Sequence, residues 1–293
     1  MILVVGATGR LGRAVTAGLI AGGHRVRAGC RQPGNANDLA ALGAEVVPID
    51  LRDPAGFAAA LAGADQVVAA VQGLTARQAD AVARVDLEGH RRLMEAAATA
   101  GVKRFVYVSA QGASARHPAA FARAKAAVEA ALAASGLEHN ILRPSAFMDL
   151  YAHDIIGKAV LAGRRVVLLG SGEALRNLVA VADVAAAVVA AVEGRVADRI
   201  TEIAGPSNLS DREVAAVYAR LSQRPARITS LSPAIVAAIA AVIGPFHAGV
   251  RNLLLFGGQN EQHGSLIADA SHMAALIGRE PQSLEAFVRE RLE

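Results

Sequence analysis

The stretch Met1-Ile2-Leu3-Val4-Val5-Gly6-Ala7-Thr8-Gly9-Arg10-Leu11-Gly12 runs an apolar strand directly into a glycine-spaced turn that opens a helix. Gly6 can take the backbone angles of a tight turn, Gly9 lets the main chain approach a pyrophosphate, and Gly12 lets the helix pack close to the sheet. The positive end of this helix then faces the phosphates. Because strand, glycines and helix agree, the pattern predicts a dinucleotide-binding site rather than an ordinary tight turn.

Up to about residue 145, short apolar runs alternate with longer helical patterns, which predicts an α/β fold with helices on both faces of a doubly wound parallel sheet. The predicted strands are 2–5, 25–30, 45–49, 66–70, 104–109 and 138–142, and the predicted helices are 11–21, 54–61, 76–100 and 118–134. Since crossovers between parallel strands are right-handed, the carboxyl ends of the strands share one edge, where a ligand is expected.

The pattern changes after Pro144, so we expect a dinucleotide-binding domain at 1–145 and a smaller C-terminal α/β part at 146–293 that supplies the substrate pocket. Strands are predicted at 166–169, 177–180 and 200–204, with helices that start at Asp183 and Ser210. Ser210 and Glu213 have the spacing of a capping box, and Asp183 is predicted to cap its helix.

The end of the second predicted strand reads Ala28-Gly29-Cys30-Arg31-Gln32, which contains an arginine and no carboxylate. A carboxylate here would bind the ribose hydroxyls of NAD, whereas an arginine attracts a 2′-phosphate. The sequence therefore favours NADP(H), with Arg31 on the phosphate and Arg10 as a second cation; the alternative is that Arg31 is a plain surface residue. Asp50, after the third strand, is placed either to accept from the adenine amino group or to cap the following turn.

Composition excludes several classes of protein. The chain has three Tyr, seven Phe, no Trp and a net charge of only +4, which gives little material for binding nucleic acid directly. The apolar stretch 233–245 is too short to cross a membrane. Cys30 is the only cysteine, and the first strand starts at Met1 without a basic leader, so a reducing, cytoplasmic location is expected. No metal site is predicted.

Four segments resemble the atypical branch of the short-chain dehydrogenase/reductases that includes the NmrA-like proteins. They are Gly-Ala-Thr-Gly-Arg-Leu-Gly at 6–12, Gly-Val-Lys-Arg-Phe-Val-Tyr-Val-Ser at 101–109, Leu-Arg-Pro-Ser-Ala-Phe at 142–147 and Gly-Arg-Glu-Pro-Gln-Ser-Leu at 278–284. The resemblance implies an extended Rossmann fold that binds NAD(P)H, with a smaller C-terminal part over the nicotinamide.

The resemblance also implies which residues contact the cofactor. The pyrophosphate loop matches Gly6, Thr8, Gly9, Arg10, Leu11 and Gly12. The NADP-selecting arginine matches Arg31, and the remaining contacts match Asp50 and Leu51 at the adenine, Ala69, Ala70 and Val71 under the inner ribose, and Pro144 to Phe147 beside the nicotinamide.

One position departs from the superfamily's Tyr-x-x-x-Lys pair, in which the tyrosine gives a proton to the substrate oxygen. The matching residues are Phe121 and Lys125, and phenylalanine has no proton to give. Lys125 can still bind the nicotinamide ribose, and Ser109 matches the superfamily serine that polarises a carbonyl. The alternatives are a solvated helix lysine and a serine that caps a strand.

The missing tyrosine divides the functional hypotheses. A reductase of quinones, imines, enones or dyes needs no protein acid, because solvent can supply the proton after hydride transfer. Tyr151 is a candidate donor from another direction, or else a pocket-lining aromatic. A pocket built from Phe147, Met148, Tyr151 and the helices between 230 and 256 suits an apolar or aromatic small molecule. The alternative is a non-catalytic NADP(H) sensor that signals to a regulatory protein partner; a homodimer is compatible with both, and a sugar-nucleotide epimerase is disfavoured.

Overall fold

The computed structural model describes residues 1–263 and 265–293, with residues 259–263 described by their backbone alone. The chain divides into two compact units. The first unit comprises Met1–Leu74, Asp80–Arg143 and Val184–Glu202, and the second comprises Thr75–Ala79, Pro144–Asp183 and Ile203–Glu293. Each unit is assembled from several segments, whereas the predicted domains 1–145 and 146–293 use a single boundary.

A seven-stranded sheet forms the centre of the first unit. Its strands, numbered along the chain, are β1 (Ile2–Val5), β2 (Val26–Cys30), β3 (Glu45–Pro48), β4 (Gln66–Ala69), β5 (Arg104–Val108), β6 (Glu138–Pro144) and β10 (Ile200–Ile203). They lie in the order β10-β6-β5-β4-β1-β2-β3, and β1 to β6 pair in parallel. The predicted doubly wound α/β fold is confirmed.

Helices cover this sheet and bury its central strands. They are α1 (Arg10–Ala21), α2 (Asn37–Ala41), α3 (Phe57–Leu61), a π-helical segment (Val82–Gly89) that continues into α4 (His90–Thr99), and α5 (Ala120–Ala134), with 3-10 turns at Pro33–Ala36 and Pro54–Gly56. Strand β1 is buried throughout, as a strand covered on both faces must be. Leu3, Phe105 and Leu132 are fully buried in the core beneath it.

The second unit contains two small sheets and the remaining helices. One sheet joins β7 (Ala146–Phe147), β9 (Arg176–Val179) and β11 (Asn208–Leu209), and the other pairs β8 (Arg165–Leu169) in parallel with β12 (Arg227–Leu231). Its helical elements are a π-helical segment (Met148–Gly157), α6 (Lys158–Leu161), α8 (Asp211–Ser222), α9 (Pro233–Ile243), α10 (Ala248–His263), α11 (His272–Ile277) and α12 (Leu284–Arg289). Helix α7 (Val181–Val192) starts in the second unit and continues in the first. No described helix has both the length and the apolar character needed to cross a bilayer.

Three expectations about these elements were wrong. The strand predicted at 200–204 is β10, which extends the large sheet instead of belonging to the C-terminal part; it lies beside β6, whose outer edge would otherwise expose unpaired backbone groups. The helix predicted at 76–100 starts near Val82, because residues 75–79 belong to the second unit, where the Ala248 N–H donates to the Arg77 carbonyl.

Asp183 does not cap α7, which begins two residues earlier, at Val181. The carboxylate that accepts from the Val181 N–H belongs to Asp149, at 3.1 Å. Asp183 instead accepts from the Gln282 N–H at 2.8 Å and pairs with Arg279 at 2.6 Å. It therefore fastens the C-terminal segment of the second unit. The capping box of Ser210 and Glu213 at the start of α8 is confirmed.

Candidate functional site

The turn between β1 and α1 is packed so tightly that it has no room for side chains at two of its glycines. Gly6 has a φ of 87°, and a Cβ atom there would lie 2.6 Å from Val71 Cγ2 and 2.9 Å from the Ala70 carbonyl oxygen. A Cβ on Gly12 would lie only 2.1 Å from the Gly6 carbonyl oxygen, while the Gly9 N–H donates to that same oxygen at 2.9 Å. The structure thus packs the predicted pyrophosphate loop against the predicted ribose loop that follows β4.

The start of α1 suits a phosphate group. Gly9 is the N-cap residue and offers no side-chain acceptor, and the first turn contains no acidic residue. The N-cap residue and the first turn therefore place no carboxylate of their own at this helix end, and the helix dipole favours a negative charge there. The absence of side chains at Gly6 and Gly12 leaves room for a pyrophosphate, and the first turn of α1 adds no negative charge that would repel it.

Arg13, on α1, contacts this loop and was missed by the sequence interpretation. Its Nε donates to the Thr8 carbonyl at 3.2 Å, its Nη2 donates to the Asn35 carbonyl at 2.7 Å, and its Nη1 pairs with Asp38. Arg13 therefore ties the glycine loop to the segment that follows β2. Its position one turn after Arg10, on the helix that opens at the loop, was the available signal.

Arg31 and Asp50 follow β2 and β3 at the same sheet edge. Arg31 is exposed, directly after Cys30. Asp50 accepts from the side chain of Arg52, at 3.0 and 3.1 Å from Nε and 2.5 Å from Nη2. This hydrogen bonding holds the pKa of Asp50 below its usual value, and the charge of Arg31 acts in the same direction. The adenine contact stays a prediction.

The structure supports the alternative that Asp50 caps the turn that directly follows it. Asp50 accepts from the Arg52 N–H at 3.0 Å, which closes a local turn before the 3-10 segment. Asp53 is the N-cap of that segment, and its side chain accepts from the Ala55 N–H at 3.0 Å. A residue directly before the first helical position reaches those N–H groups, whereas one three residues further back does not.

Lys125 lies inside the first unit, with only 2% of its side chain exposed. The alternative of a solvated helix lysine was therefore wrong. Its Nζ donates to the Val108 carbonyl, at the end of β5, over 3.1 Å and lies 3.8 Å from Asp86 Oδ1. The ring centroids of Tyr107 and Phe121 lie 4.8 and 5.5 Å from Nζ. Burial lowers the pKa of Lys125, and Asp86 opposes that shift.

Ser109 is also buried, and it does not act as a simple strand cap. Its hydroxyl donates to Glu129 Oε1 at 2.5 Å. Arg143 holds the same carboxylate with two hydrogen bonds, from Nε at 3.0 Å and from Nη2 at 2.5 Å. The Ser109 proton is therefore committed to a carboxylate, and a substrate carbonyl would have to compete with it.

Asp86 and His90 complete this buried group, and sequence reasoning missed both. Each is 0% exposed, and they stand four residues apart on the helical face that also buries Leu93 and Ala97. Asp86 Oδ2 accepts from the Gly73 N–H at 2.8 Å, and the Nδ1 of His90 is 2.7 Å from the Val85 carbonyl. Two polar residues in register with a buried apolar face were the signal available in the sequence.

Burial shifts the pKa values of these two residues in opposite directions. It raises the pKa of Asp86 to about 6, against the pull of Lys125 and of the Gly73 hydrogen bond. It lowers the pKa of His90 to about 3, with the Lys125 charge acting in the same direction. At neutral pH the cluster therefore holds a neutral His90 imidazole and an ionised Asp86 carboxylate.

These shifts predict a measurable dependence of stability on pH. The folded-state pKa of His90 lies below the unfolded value of about 6.5, so its contribution is present above that pH and is lost as the pH falls towards 3. Asp86 has the opposite sign: its contribution is present below about pH 3.8 and is lost as the pH rises through about 6. We expect His90→Phe to remove about 1.4 kcal/mol per pH unit of the acid loss between about pH 4 and 5.5. Urea unfolding of both proteins at several pH values measures this, and parallel curves would contradict it.

The remaining predicted residues lie in the second unit or at its margin. Pro144 ends β6, and Phe147 ends β7, where it pairs with Val179. The Tyr151 hydroxyl donates to Asp211 Oδ2 at 3.0 Å. The guanidinium of the buried Arg176 lies 4.1 Å from the centroid of the Tyr151 ring, and its Nε pairs with Asp211 at 3.1 Å. The phenolic proton of Tyr151 thus has a carboxylate acceptor within its own unit, and its role as a donor to substrate stays a prediction.

Taken together, a parallel sheet, a glycine cradle after β1 and a buried lysine against the end of β5 define a Rossmann-type dinucleotide-binding protein. Gly6, Gly9, Gly12, Ala70 and Val71 meet at the cradle, and Lys125 joins Val108 one residue before Ser109. Comparison with known proteins identifies the family within this class.

The chain belongs to the NAD(P)H-binding family, whose family model matches residues 6–195. The predicted resemblance to the atypical short-chain dehydrogenase/reductases is confirmed.

The chain is 32% identical over 236 residues to the NAD(P)H azoreductase of Xenophilus azovorans, and the match covers 79% of this chain and 77% of that protein. It is 28% identical over 292 residues to quinone oxidoreductase 2 of Escherichia coli (strain K12), which covers 98% and 97% of the two chains. A crystal structure of that NADPH-dependent quinone oxidoreductase in complex with NADPH matches all of both chains with a TM-score of 0.83 at 26% identity.

Proposed function

We propose that this protein is an NADPH-dependent reductase that passes hydride to quinone or dye-like acceptors. The observation that carries the proposal is a combination of features in one unit. The dinucleotide cradle is intact and Lys125 is buried, but Phe121 stands in the place of the proton-donating tyrosine. Similarity to an azoreductase and to a quinone oxidoreductase supports the acceptor class.

The residues present fit a nicotinamide dinucleotide. The Gly6–Gly12 loop and the start of α1 would hold the pyrophosphate, the Ala69–Val71 loop and Lys125 the inner ribose, and Pro144 to Phe147 the nicotinamide. When bound, the reduced nicotinamide supplies the hydride. The chain's own contribution is to orient the cofactor and to exclude water from the buried side of the site.

Preference for NADPH over NADH is part of the proposal. The five residues from Ala28 to Gln32 contain no carboxylate that could bind the ribose hydroxyls, and Arg31 is exposed directly after β2. A guanidinium in that position matches a 2′-phosphate in charge and in geometry. The Asp50 carboxylate, which lies near Arg31, already accepts from Arg52, so it competes less for the Arg31 charge.

The acceptor class follows from the two positions at which the superfamily pattern places a hydroxyl beside the substrate, which are Phe121 and Ser109 in this chain. Phe121 has no transferable proton, and the Ser109 proton is directed at Glu129. A quinone or an azo compound forms a delocalised anion after hydride addition, and solvent can protonate that anion without a positioned acid. A simple ketone would form a strongly basic alkoxide, which benefits from an acid at hydrogen-bond distance.

Restoring the tyrosine tests this reasoning. We expect Phe121→Tyr to change the rate of quinone reduction by less than about threefold, because proton transfer from the protein does not limit that reaction. Steady-state rates with one quinone and one aliphatic ketone measure the effect. A rise of tenfold or more with the quinone would mean that a protein acid is needed after all.

The proposed activity is tested by an acceptor panel. Purified protein is titrated with NADPH and NADH by fluorescence, and oxidation is then followed with quinones, azo dyes and enones. Tight NADPH binding with acceptor-dependent oxidation is the expected result. Tight binding without oxidation by any acceptor would instead favour the NADP(H) sensor with a regulatory protein partner. A cytoplasmic location and a homodimer stay predictions.

A further inference from the structure

Asp86 occupies an unusual place for a carboxylate, because it is fully buried and its two oxygens face different elements of the first unit. Oδ2 accepts from the Gly73 N–H at 2.8 Å, in the loop that follows β4. Oδ1 lies 3.8 Å from the Lys125 Nζ, on α5. One carboxyl group thus stands between the loop that starts at Ala70 and the lysine proposed to bind the ribose.

The approach of the loop to Asp86 is as close as a backbone allows. A Cβ on Gly73 would lie 2.9 Å from Asp86 Oδ2 and 2.7 Å from the Ala81 carbonyl oxygen. Any side chain at position 73 would therefore push the loop away from the carboxylate. The absence of a side chain lets the Gly73 N–H donate directly.

The surroundings of Lys125 offer it a single close carboxylate. Asp86 faces it from the π-helical segment, His90 from α4, Tyr107 from β5 and Glu129 from α5 itself. The Glu129 carboxylate is already bound by Ser109 and by Arg143. His90 is neutral at neutral pH, since burial lowers its pKa to about 3. Asp86 is left as the group that balances the buried ammonium.

The ion pair between Asp86 and Lys125 is open rather than closed. A distance of 3.8 Å exceeds that of a hydrogen bond, and Asp86 Oδ1, His90 Nε2 and the Tyr107 hydroxyl have no hydrogen-bond partner among the described residues. A buried ion pair with unfilled hydrogen bonds is a poor stabiliser compared with apolar residues of the same size. Its presence points to a use for the ammonium other than holding the fold.

We propose that Asp86 is a positioning residue for the cofactor site, which holds the Lys125 ammonium charged and fixes it relative to the loop after β4 through Gly73. The inference rests on the proposed function, because Lys125 and that loop are its proposed ribose contacts. Asp86 itself touches neither cofactor nor substrate and acts through Lys125.

The test uses the full-length protein without cofactor and the variants Asp86→Asn, Lys125→Met and the double variant. Asparagine still accepts from the Gly73 N–H but carries no charge. Without its counter-ion, Lys125 has a pKa that burial lowers further, so Asp86→Asn should regain more stability than the wild type as the pH rises from 7 towards 10. The regain should disappear in the double variant. An unchanged pH profile for Asp86→Asn, or a regain that persists without Lys125, would overturn the proposal.

Asp80→Asn is the matched control, because Asp80 is an exposed carboxylate six residues before Asp86 that pairs with Arg84. It should follow the wild-type profile. If Asp86→Asn does not fold, Lys125→Met alone tests the proposal. In this variant the buried Asp86 carboxylate has lost its counter-ion, so its pKa rises. The stability of Lys125→Met relative to wild type should therefore fall as the pH rises from 5 to 8. Parallel curves for Lys125→Met and wild type would overturn the proposal.

NADPH titration separates positioning from a purely structural ion pair. Asp86→Asn should weaken NADPH binding by about tenfold at neutral pH, and Asp80→Asn by less than about twofold. The pH signature without a change in NADPH affinity would reduce Asp86 to a structural role and would overturn the proposal. Failure of the wild-type protein to oxidise NADPH with any acceptor would overturn the proposed function alone, since both readouts here are independent of turnover.

Discussion

Gly12→Ala should abolish measurable NADPH binding, with at least a hundredfold loss of affinity, and should destabilise the protein by about 2–4 kcal/mol. In an ordinary helix the same change would add about 1 kcal/mol of stability, because alanine is the better helix former. Here the new Cβ would lie 2.1 Å from the Gly6 carbonyl oxygen and 2.8 Å from the Ala7 Cα. Both are backbone atoms of the cradle, so the cradle itself must move.

Gly22→Ala is the matched control for Gly12→Ala. Gly22 is the C-cap of the same helix, with a φ of −77°, and the nearest atom to an added Cβ is 3.4 Å away. This variant should bind NADPH like the wild type and should be at least as stable. Fluorescence titration and urea unfolding of the two variants provide the comparison. Normal NADPH affinity in Gly12→Ala would show that the cofactor does not use this loop.

Arg31→Glu should weaken NADPH binding roughly a hundredfold and leave NADH binding within about threefold. The change removes a charge-assisted contact to the 2′-phosphate and places a repelling carboxylate there. The same carboxylate can accept from the free ribose hydroxyls of NADH, which is why the second affinity is spared. Dissociation constants for both cofactors at one fixed salt concentration measure the effect.

Arg25→Glu is the control for charge in the Arg31 experiment. Arg25 is exposed and directly precedes β2, whereas Arg31 directly follows it, so the two changes alter net charge equally at opposite ends of one strand. Arg25→Glu should leave both affinities near wild type. Equal losses for NADPH and NADH in Arg31→Glu would refute the assignment of the 2′-phosphate.

Local pattern was sufficient to predict the dinucleotide-binding unit. The strand, glycines and helix from Ile2 to Ala21 lie next to each other in sequence, so turn chemistry and periodicity determine them without long-range information. The parallel order of β1 to β6 follows from the alternation of strands and helices together with the handedness of crossovers. The strand limits predicted from apolar runs agree with the structure to within one or two residues.

The buried chemistry of the site could not be read from the sequence in the same way. Asp86 and His90 look like ordinary polar residues of an amphipathic helix until the sheet and α5 enclose them. The residues next to Lys125 in the sequence do not show whether its side chain is buried or solvated, because its burial depends on β5 and on the π-helical segment. β10 was assigned to the wrong part because a four-residue strand carries no information about its partner. The strand β12, which pairs with β8, was missed altogether.

The most direct test of the account is a single-turnover experiment. Protein loaded with one equivalent of NADPH is mixed with an excess of a quinone, and the absorbance of the reduced nicotinamide is followed alongside hydroquinone formation. The account predicts that the bound NADPH is consumed in a single phase with one hydroquinone formed per NADPH. Bound NADPH that survives mixing with every quinone and azo acceptor would contradict it and would make the protein a binder of the cofactor rather than a reductase.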